Sequence, residues 1–433
     1  MRKELIVGAA LALAASAEAQ VEVILSEVGP TSSVGVAGRA ISSMSSFDLS
    51  PNGLWWSLSL GLNGSGVDNN MDVRGQGGSF TDVIYQEGVT PLPAHPGVTG
   101  FFGFSSSTFQ TSINDNGHVT GLAANTVSGE PNEFIYAFDG SAHSLVAAEG
   151  SAVPSIPGAF YGNTLHSPNM LANGQSAFVA ENMTGVDASM DSATLSSNGN
   201  QFGGLQSGVT NFPVGTMETM DQSGFYVTPD GSTFLLRGDT NADISKDDVL
   251  IYGTVGTSGT AVLIEDTTPI AGGFYDDTFH AFLADNGDWY ASGDLTTGEY
   301  VAIRNGSVLA MTGDAAPNGY NYGTIPNIAG DANGNYLWIW DTDNPDTTAD
   351  EILVYNGTTL ILSEGDMIMF DQGNGPEPAI IDEFNAFDVQ LSVDGWAYLM
   401  VQLDNLNGTN IGDAFIRVRV PAPGSALLFA ASG

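Results

Sequence analysis

The chain has 433 residues, of which 9 are Lys or Arg and 49 are Asp or Glu, giving a formal net charge of −40 at pH 7. An acidic balance this strong excludes polyanionic partners: DNA, RNA and anionic lipid headgroups are repelled, while cations and basic polymers are attracted. Apolar residues at 42% and aromatics at 9% exclude a disordered chain, and the absence of cysteine excludes disulfides, thiolate metal sites and a Cys nucleophile.

Residues 1–19 have the three parts of a secretory signal: Arg2 and Lys3, an apolar run from Leu5 to Ala15, and small residues at Ala17 and Ala19. The run is too short to span a bilayer, so the spacing predicts cleavage after Ala19 and export. Cleavage removes Arg2, Lys3, Glu4 and Glu18, two charges of each sign, so the remainder keeps the −40 with seven basic residues. Every later apolar run is of strand length and is broken by Gly, Asn or Asp, so no transmembrane segment is expected in the mature chain.

From residue 20 to 420 one unit is written seven times. Its first landmark is an Asn-Gly or Asp-Gly pair between apolar stretches: Asn52-Gly53, Asn116-Gly117, Asn173-Gly174, Asp230-Gly231, Asn286-Gly287, Asn333-Gly334 and Asp394-Gly395. Its second is an apolar strand ending in an acidic or Gly bend, as in LVAAEG from Leu145 and LILSEGD from Leu360. Such pairs supply the positive φ that hairpins need, so each unit reads as four antiparallel strands in a meander. Repeats of this length predict an all-β, seven-bladed β-propeller. The seventh unit stops after its third strand, near Val420, whereas Val21–Gly29 is a fourth strand with no blade before it. Pairing the two closes the ring and removes two open edges. In a meander both hairpin sets fall on one face. The acidic second-to-third loops and the long excursions between units, such as the one from Thr90, fall on the other, where function is expected.

The repeated pattern of Asn114-Asp115-Asn116-Gly117 with Val119 and Ala123, and of Asn173-Gly174 with Ala177 and Phe178, resembles the NxxG-type tandem-repeat surface proteins exported by bacteria. Units four and five depart from it, with Gln206-Ser207-Gly208 and Glu265-Asp266-Thr267 at the bend. Residues 421–433, a Pro-Gly break followed by an apolar stretch, resemble the start of a PEP-CTERM-type sorting signal that lacks the rest of its helix and its closing Arg cluster. The resemblance implies export and display at the cell surface, and it supplies no catalytic residues.

The sharpest chemical signal lies in the fourth unit. Asp239, Asn241, Asp243, Ser245 and Asp247 place oxygens at alternate positions, as a loop wrapping Ca²⁺ requires. The pattern has Ile244 where a Gly follows the third ligand and Leu250 where a bidentate Glu closes the site. Asp341, Asp343, Asp346 and Asp350 form a second, weaker candidate. Capping of their own turns is the competing use of these residues. An acidic residue also opens every third strand, at Asp72, Glu133, Asp191, Asp248, Glu299, Glu351 and Asp413, and repetition in all seven units points to a structural duty such as accepting backbone N–H bonds.

Catalytic constellations are thin. His95, His118, His143, His166 and His280 lie in scattered positions with no zinc spacing. Glu87, Glu149 and Glu364 recur at equivalent bends, which favours a turn role over a glycosidase pair. Sialidase-like boxes are not matched by SPNGLWW from Ser50 or SVDGWAY from Ser392. Trp55, Trp56, Trp289, Trp338, Trp340 and Trp396 follow turn pairs and are expected mostly between blades. The sequence therefore predicts an exported, surface-displayed propeller that binds an extracellular ligand or cell-surface polymer or serves a structural role. The alternative is a Ca²⁺-dependent polysaccharide lyase or glycoside hydrolase, which needs an asymmetric cleft with a perturbed acid or base.

Overall fold

The computed structural model describes residues 20–64, 69–91, 110–124, 133–324 and 327–421. The leader at 1–19, the tail from 422 onward, and His95 with most of the excursion from Thr90 lie outside the described residues. Within them the chain forms seven antiparallel sheets in which each blade is a four-stranded meander. The innermost strands of the blades are Ile41–Leu49, Thr111–Ile113, Thr164–Met170, Met217–Val227, Gly273–Leu283, Asn327–Gly330 and Pro376–Leu391. Each contacts the innermost strand of the next blade, and Pro376–Leu391 contacts Ile41–Leu49, so the sheets close into a seven-bladed β-propeller.

The ring closes as the repeat count requires. Val21–Ser26 pairs antiparallel with Asn410–Arg419, from Val21↔Val418 to Ser26↔Ala414, and completes blade 7 as its fourth strand. Glu22 opposes Arg417 in this register, and the guanidinium holds its carboxylate at 2.5 Å while lying 4.1 Å above the Trp396 ring.

The two sets of turn pairs work differently. At all seven first hairpins the Gly donates its N–H to the carbonyl three residues back, as Gly53 does to Ser50, Gly117 to Asn114 and Gly395 to Ser392. Only the Gly has positive φ there, as at Gly117 (72°) and Gly174 (80°), which is a type I turn with a Gly bulge. The residue before the Gly caps instead: Asn173, Asp230 and Asn286 each accept, through Oδ1, the N–H two residues on. Two-residue turns with both φ positive occur at Asn305-Gly306 (49°, 78°) and Asn356-Gly357 (49°, 70°), between third and fourth strands.

The described apolar residues form seven core clusters, one for each blade–blade interface. Trp56, Leu58 and Phe47 of blade 1 pack with Tyr398, Met400 and Phe415 of blade 7. Tyr290 and Ala302 of blade 5 pack with Trp338, Trp340 and Ile352 of blade 6. A blade alone leaves both apolar faces in water, and each fully buried side chain such as Leu58 or Ile352 contributes about 1.5–3 kcal/mol only once its neighbour is in place.

Candidate functional site

Apart from the starts of the blade 5 and blade 7 strands, which pair with Pro269–Ile270 and Met367–Asp371, the inner edge of each blade has no ladder partner among the described residues, and its N–H groups need acceptors from elsewhere. Two residues before each first-hairpin motif stand Asp48, Ser112, Asn169, Tyr226, Phe282, Ala329 and Gln390. Four of these latch onto the next blade. Asp48 Oδ2 accepts the N–H of Ile113 (3.1 Å), Ser112 Oγ that of Met170 (3.0 Å), Asn169 Oδ1 that of Val227 (3.2 Å) and Gln390 Oε1 that of Leu49 (2.9 Å). At the same position in blades 4 and 5, Tyr226 and Phe282 set their rings 6.4 Å apart. Burial raises the Asp48 carboxyl to about 6 against the opposing hydrogen bonds of Ile113, Ser112, Gln390 and Leu49. At the mouth below it, desolvation, Asp48, Asp115 and Asp331 raise Asp285 to about 7, although that residue's surface is open to solvent.

Above the latches the inner strands lose their regular register. The pairing slips between Met44 and Phe47, between His166 and Asn169, between Met220 and Phe225, at two places between Tyr275 and His280, and between Phe384 and Val389. Bulges re-aim side chains and are common beside binding sites. Those of blades 4 and 5 carry Asp221 and Asp277, and one cation lies between them. Arg237, on the second strand of blade 4, brings Nε to 2.6 Å from Asp221 Oδ2 and Nη2 to 3.6 Å from Asp277 Oδ1. Desolvation raises Asp221, Arg237 opposes it, and Asp239, Asp277 and Glu181 add to it. His280, on the blade 5 strand, is pushed down to about 4 by desolvation and by Arg237, so it is neutral at pH 7. Glu181 Oε1 accepts the N–H of Met220 (3.3 Å), and its Oε2 lies 3.5 Å from Nε2 of the buried His166. This gathering of unlike charges belongs to blades 3 to 5 and has no counterpart elsewhere among the described residues.

The loop singled out for calcium adjoins this group. Asp239 closes the second strand of blade 4 opposite Asp248, and the two carboxyls share a hydrogen bond that, after desolvation, holds Asp248 up at about 8. Asp239 Oδ2 also accepts the Thr219 hydroxyl at 2.5 Å. Asn241 Oδ1 accepts the N–H of Thr216 (2.8 Å), and the Asp243 and Asp247 carbonyls accept the N–H groups of Lys246 and Thr240. The Asp247 carboxyl turns toward Glu265, which desolvation, then Asp247, raise to about 7. Ser245 lies on the turn between Asp243 and Asp247. Among the described residues no group of three or more His, Asp or Glu side chains gathers as a metal ion would need. Blade 6 repeats the plan: Asp341 Oδ2 accepts the Thr324 hydroxyl, and Asp343 accepts both the N–H and the side-chain amide of Asn321 at 2.8 Å. In both blades the alternate oxygens clamp the loop that feeds the inner strand.

Of the seven acidic residues opening the third strands, Glu133 and Glu351 accept a backbone N–H as the repetition implied. Glu133 Oε2 accepts the N–H of Leu165 (2.9 Å) and Glu351 Oε2 that of Phe384 (2.8 Å), each on the next blade's inner strand. Asp72, buried beneath blade 2, accepts the hydroxyls of Ser59 and Tyr136, and desolvation raises it to about 7. Glu364 accepts the N–H groups of Asp350 and Glu351, a turn role. Trp56, Trp289, Trp338, Trp340 and Trp396 are buried, and Trp55 packs against Gly117 of blade 2 beneath Arg74. The Arg237 group was not legible in the sequence, since Asp221 and Asp277 lie on different blades. The one available signal was an acidic residue inside each of two inner strands, METMDQSGFYV from Met217 and GFYDDTFHAFL from Gly273.

Residues 33–207 match the family of unknown function DUF7453. No curated protein matches the chain. Among solved structures, the Dos1 propeller is 12% identical with a TM-score of 0.39, over 87% of this chain and 78% of that one. The α-L-arabinofuranosidase Arb93A from Fusarium graminearum is 11% identical with a TM-score of 0.36, over 93% and 98%. Hydrazine synthase from Kuenenia stuttgartiensis is 12% identical with a TM-score of 0.40, over 84% and 95%.

Proposed function

We propose that the protein is an exported, surface-displayed propeller with a binding or structural role and no catalysis. The observation that carries this reading is the employment of its recurrent polar residues. Asp48, Ser112, Asn169 and Gln390 on the axis, and Glu133, Glu181 and Glu351 toward the loop face, all hold the N–H of a neighbouring blade. Groups so engaged tie the blades into a rigid ring, the scaffold that a binding or structural role needs. The leader-like residues 1–19 and the acidic composition support export and display of this ring in salt water, where the charge is largely screened.

A second reading, a Ca²⁺-dependent polysaccharide lyase or glycoside hydrolase, draws on the Asp221–Arg237–Asp277 group, which is asymmetric and contains a carboxyl raised by desolvation. Incubating the purified protein with polysaccharide and glycoside panels, with and without Ca²⁺, separates the two. The expected result is no cleavage. Turnover abolished by Asp221→Asn would establish the enzyme. Display is tested by protease shaving of intact cells producing the full chain, where protection of the propeller would overturn it.

A further inference from the structure

Before its inner strand, blade 7 carries an extra strand, Met367–Asp371, which pairs antiparallel with the start of that strand from Met367↔Ile380 to Asp371↔Pro376 and ends the sheet. No strand among the described residues pairs with its other edge. Ile368 and Phe370 are buried in the core between blades 6 and 7. On the opposite face, Met367 and Met369 are 70% and 62% exposed.

The register decides which backbone groups are open. Met369 faces Pro378 and Asp371 faces Pro376, and proline has no N–H, so neither is a hydrogen-bonded pair of the ladder. The bonded pairs fall at Ile368↔Ala379 and Phe370↔Glu377, which turns the N–H and C=O of Met367, Met369 and Asp371 outward. The surroundings of Gly29 agree with this, since a Cβ there would lie 1.9 Å from the Asp371 carbonyl oxygen. That contact covers the tip and leaves Met367–Met369 as the open edge.

The fourth strands of blades 1 to 6 also end their sheets, but the two edges nearest in kind to this one are blunted. The other side of the same hairpin carries Pro376 and Pro378, and the corresponding extra strand of blade 5, Pro269–Ile270, is two residues long and begins with proline. Short strands and prolines are the usual protection against unwanted pairing. Met367–Met369 has neither, and its two flexible thioethers form the kind of surface that adapts to varied apolar side chains.

Charge selects the occupant. Asp366, Asp371, Glu377, Asp382 and Glu383 lie in or beside the hairpin, and no Lys or Arg occurs between Arg304 and Arg417. We propose that the edge at Met367–Met369 binds an extended basic segment of a partner protein, which adds a strand to blade 7, lays its apolar side chains on the methionines and sets its Lys or Arg beside these carboxylates. A second copy of this chain is disfavoured, because each carries −40 and edge-to-edge pairing would bring the two sets of carboxylates together.

The probe is a fluorescein-labelled peptide of alternating Lys and Val, titrated with the purified protein and followed by fluorescence anisotropy. The expected result is saturable, salt-sensitive binding that is absent for a Glu/Val peptide and weakened at least tenfold by Met369→Pro, which removes an outward N–H at a position where an edge tolerates proline. Should circular dichroism show that variant unfolded, Met369→Lys leaves the backbone intact and is expected to weaken binding similarly. No binding to the wild type, equal binding by folded variants, or a dimer in sedimentation that Met369→Pro dissolves would each overturn the proposal. Neither export nor catalysis enters the measurement, so its failure would leave that reading of the protein standing.

Discussion

The carboxylate of Asp48 in blade 1 accepts the backbone N–H of Ile113 in blade 2, a hydrogen bond that crosses a blade boundary on the ring axis with its acceptor partly buried. A charge at such a place costs free energy that a protonated or amide side chain does not, and the protein has several like it. Asp48 is raised to about 6, Asp72 and Glu351 to about 7, in each case chiefly by burial. Their folded pKa values exceed the unfolded ones, so the stability that protonation contributes is fully present below about pH 4 and is lost as pH rises through about 6 to 7. The melting temperature should rise by at least about 3 °C on going from pH 8 to pH 5. Calorimetry at unit pH steps checks this, and a flat or falling profile would contradict it. Asp48→Asn keeps an acceptor for Ile113 and should flatten part of the dependence.

Below pH 4 the sign reverses. Asp139, held at about 2 by the N–H groups of Ala142 and Ser141 and the Ser141 hydroxyl, and Asp230 and Asp343, lowered chiefly by the N–H groups of Ser232 and Asn321, lose stabilising bonds on protonation. The optimum is therefore expected between about pH 4 and 6, where the two sets of carboxyls balance.

Closure sets the second prediction. Deleting residues 20–29 uncovers the edge of Asn410–Arg419 and the core around Ile24 and Leu25. Aggregation or a large fall in melting temperature is expected in light scattering and thermal melts. Arg417→Ala, which keeps the strand and loses the Glu22 pair and the Trp396 stack, should cost only about 1 kcal/mol. A soluble deletion variant with unchanged melting would contradict closure as a source of stability.

Arg237 is the only cation within reach of both Asp221 and Asp277 in the described structure. Arg237→Gln should destabilise by about 1–2 kcal/mol in urea, and adding Asp221→Asn should recover part of that loss, because the uncompensated charge is then gone. Strict additivity in the double-mutant cycle would show that the pair does not interact.

Asn241→Ala and Asp343→Ala each leave a loop N–H, that of Thr216 or Asn321, without its acceptor. Each should cost about 1 kcal/mol, read from the urea midpoint. The same loop gives the test of calcium. Oxygen spacing from Asp239 to Asp247 predicts a heat on Ca²⁺ titration of chelated protein that Asp243→Ala abolishes. Equal or absent heats in both proteins would remove the ion and leave the clamps.

Blades, hairpins and closure were legible because each is written in local chemistry. A Gly with positive φ such as Gly117 must stand where the turn needs it, and among the described residues the strand from Val21 pairs only with Asn410–Arg419. The clamping duties of Asn241 and Asp343 were only half legible: alternate oxygens in a loop suit a cation and a backbone N–H equally, and the acceptor's partner lies 25 or 22 residues away on the preceding loop. The latch position was written in the sequence as Asp48, Ser112, Asn169 and Gln390, but four residue types with one duty do not look like a motif. The Asp221–Arg237–Asp277 group depends on bulges, and a slip in register between Met220 and Phe225 leaves no mark in alternation that is already irregular.

Gln20 accepts a hydrogen bond from the N–H of Arg419, which places the first and last described strands side by side within one sheet. The order of the blades along the polypeptide is therefore a matter of where the circle was cut, not of what it needs. Joining these neighbours with a short Gly-Ser bridge and opening the chain at a hairpin turn such as Asn198-Gly199 would yield a permuted protein with the same seven interfaces. In that protein the seam would fall between the third and fourth strands of blade 3, and the pair Glu22–Arg417 would become an ordinary interior contact.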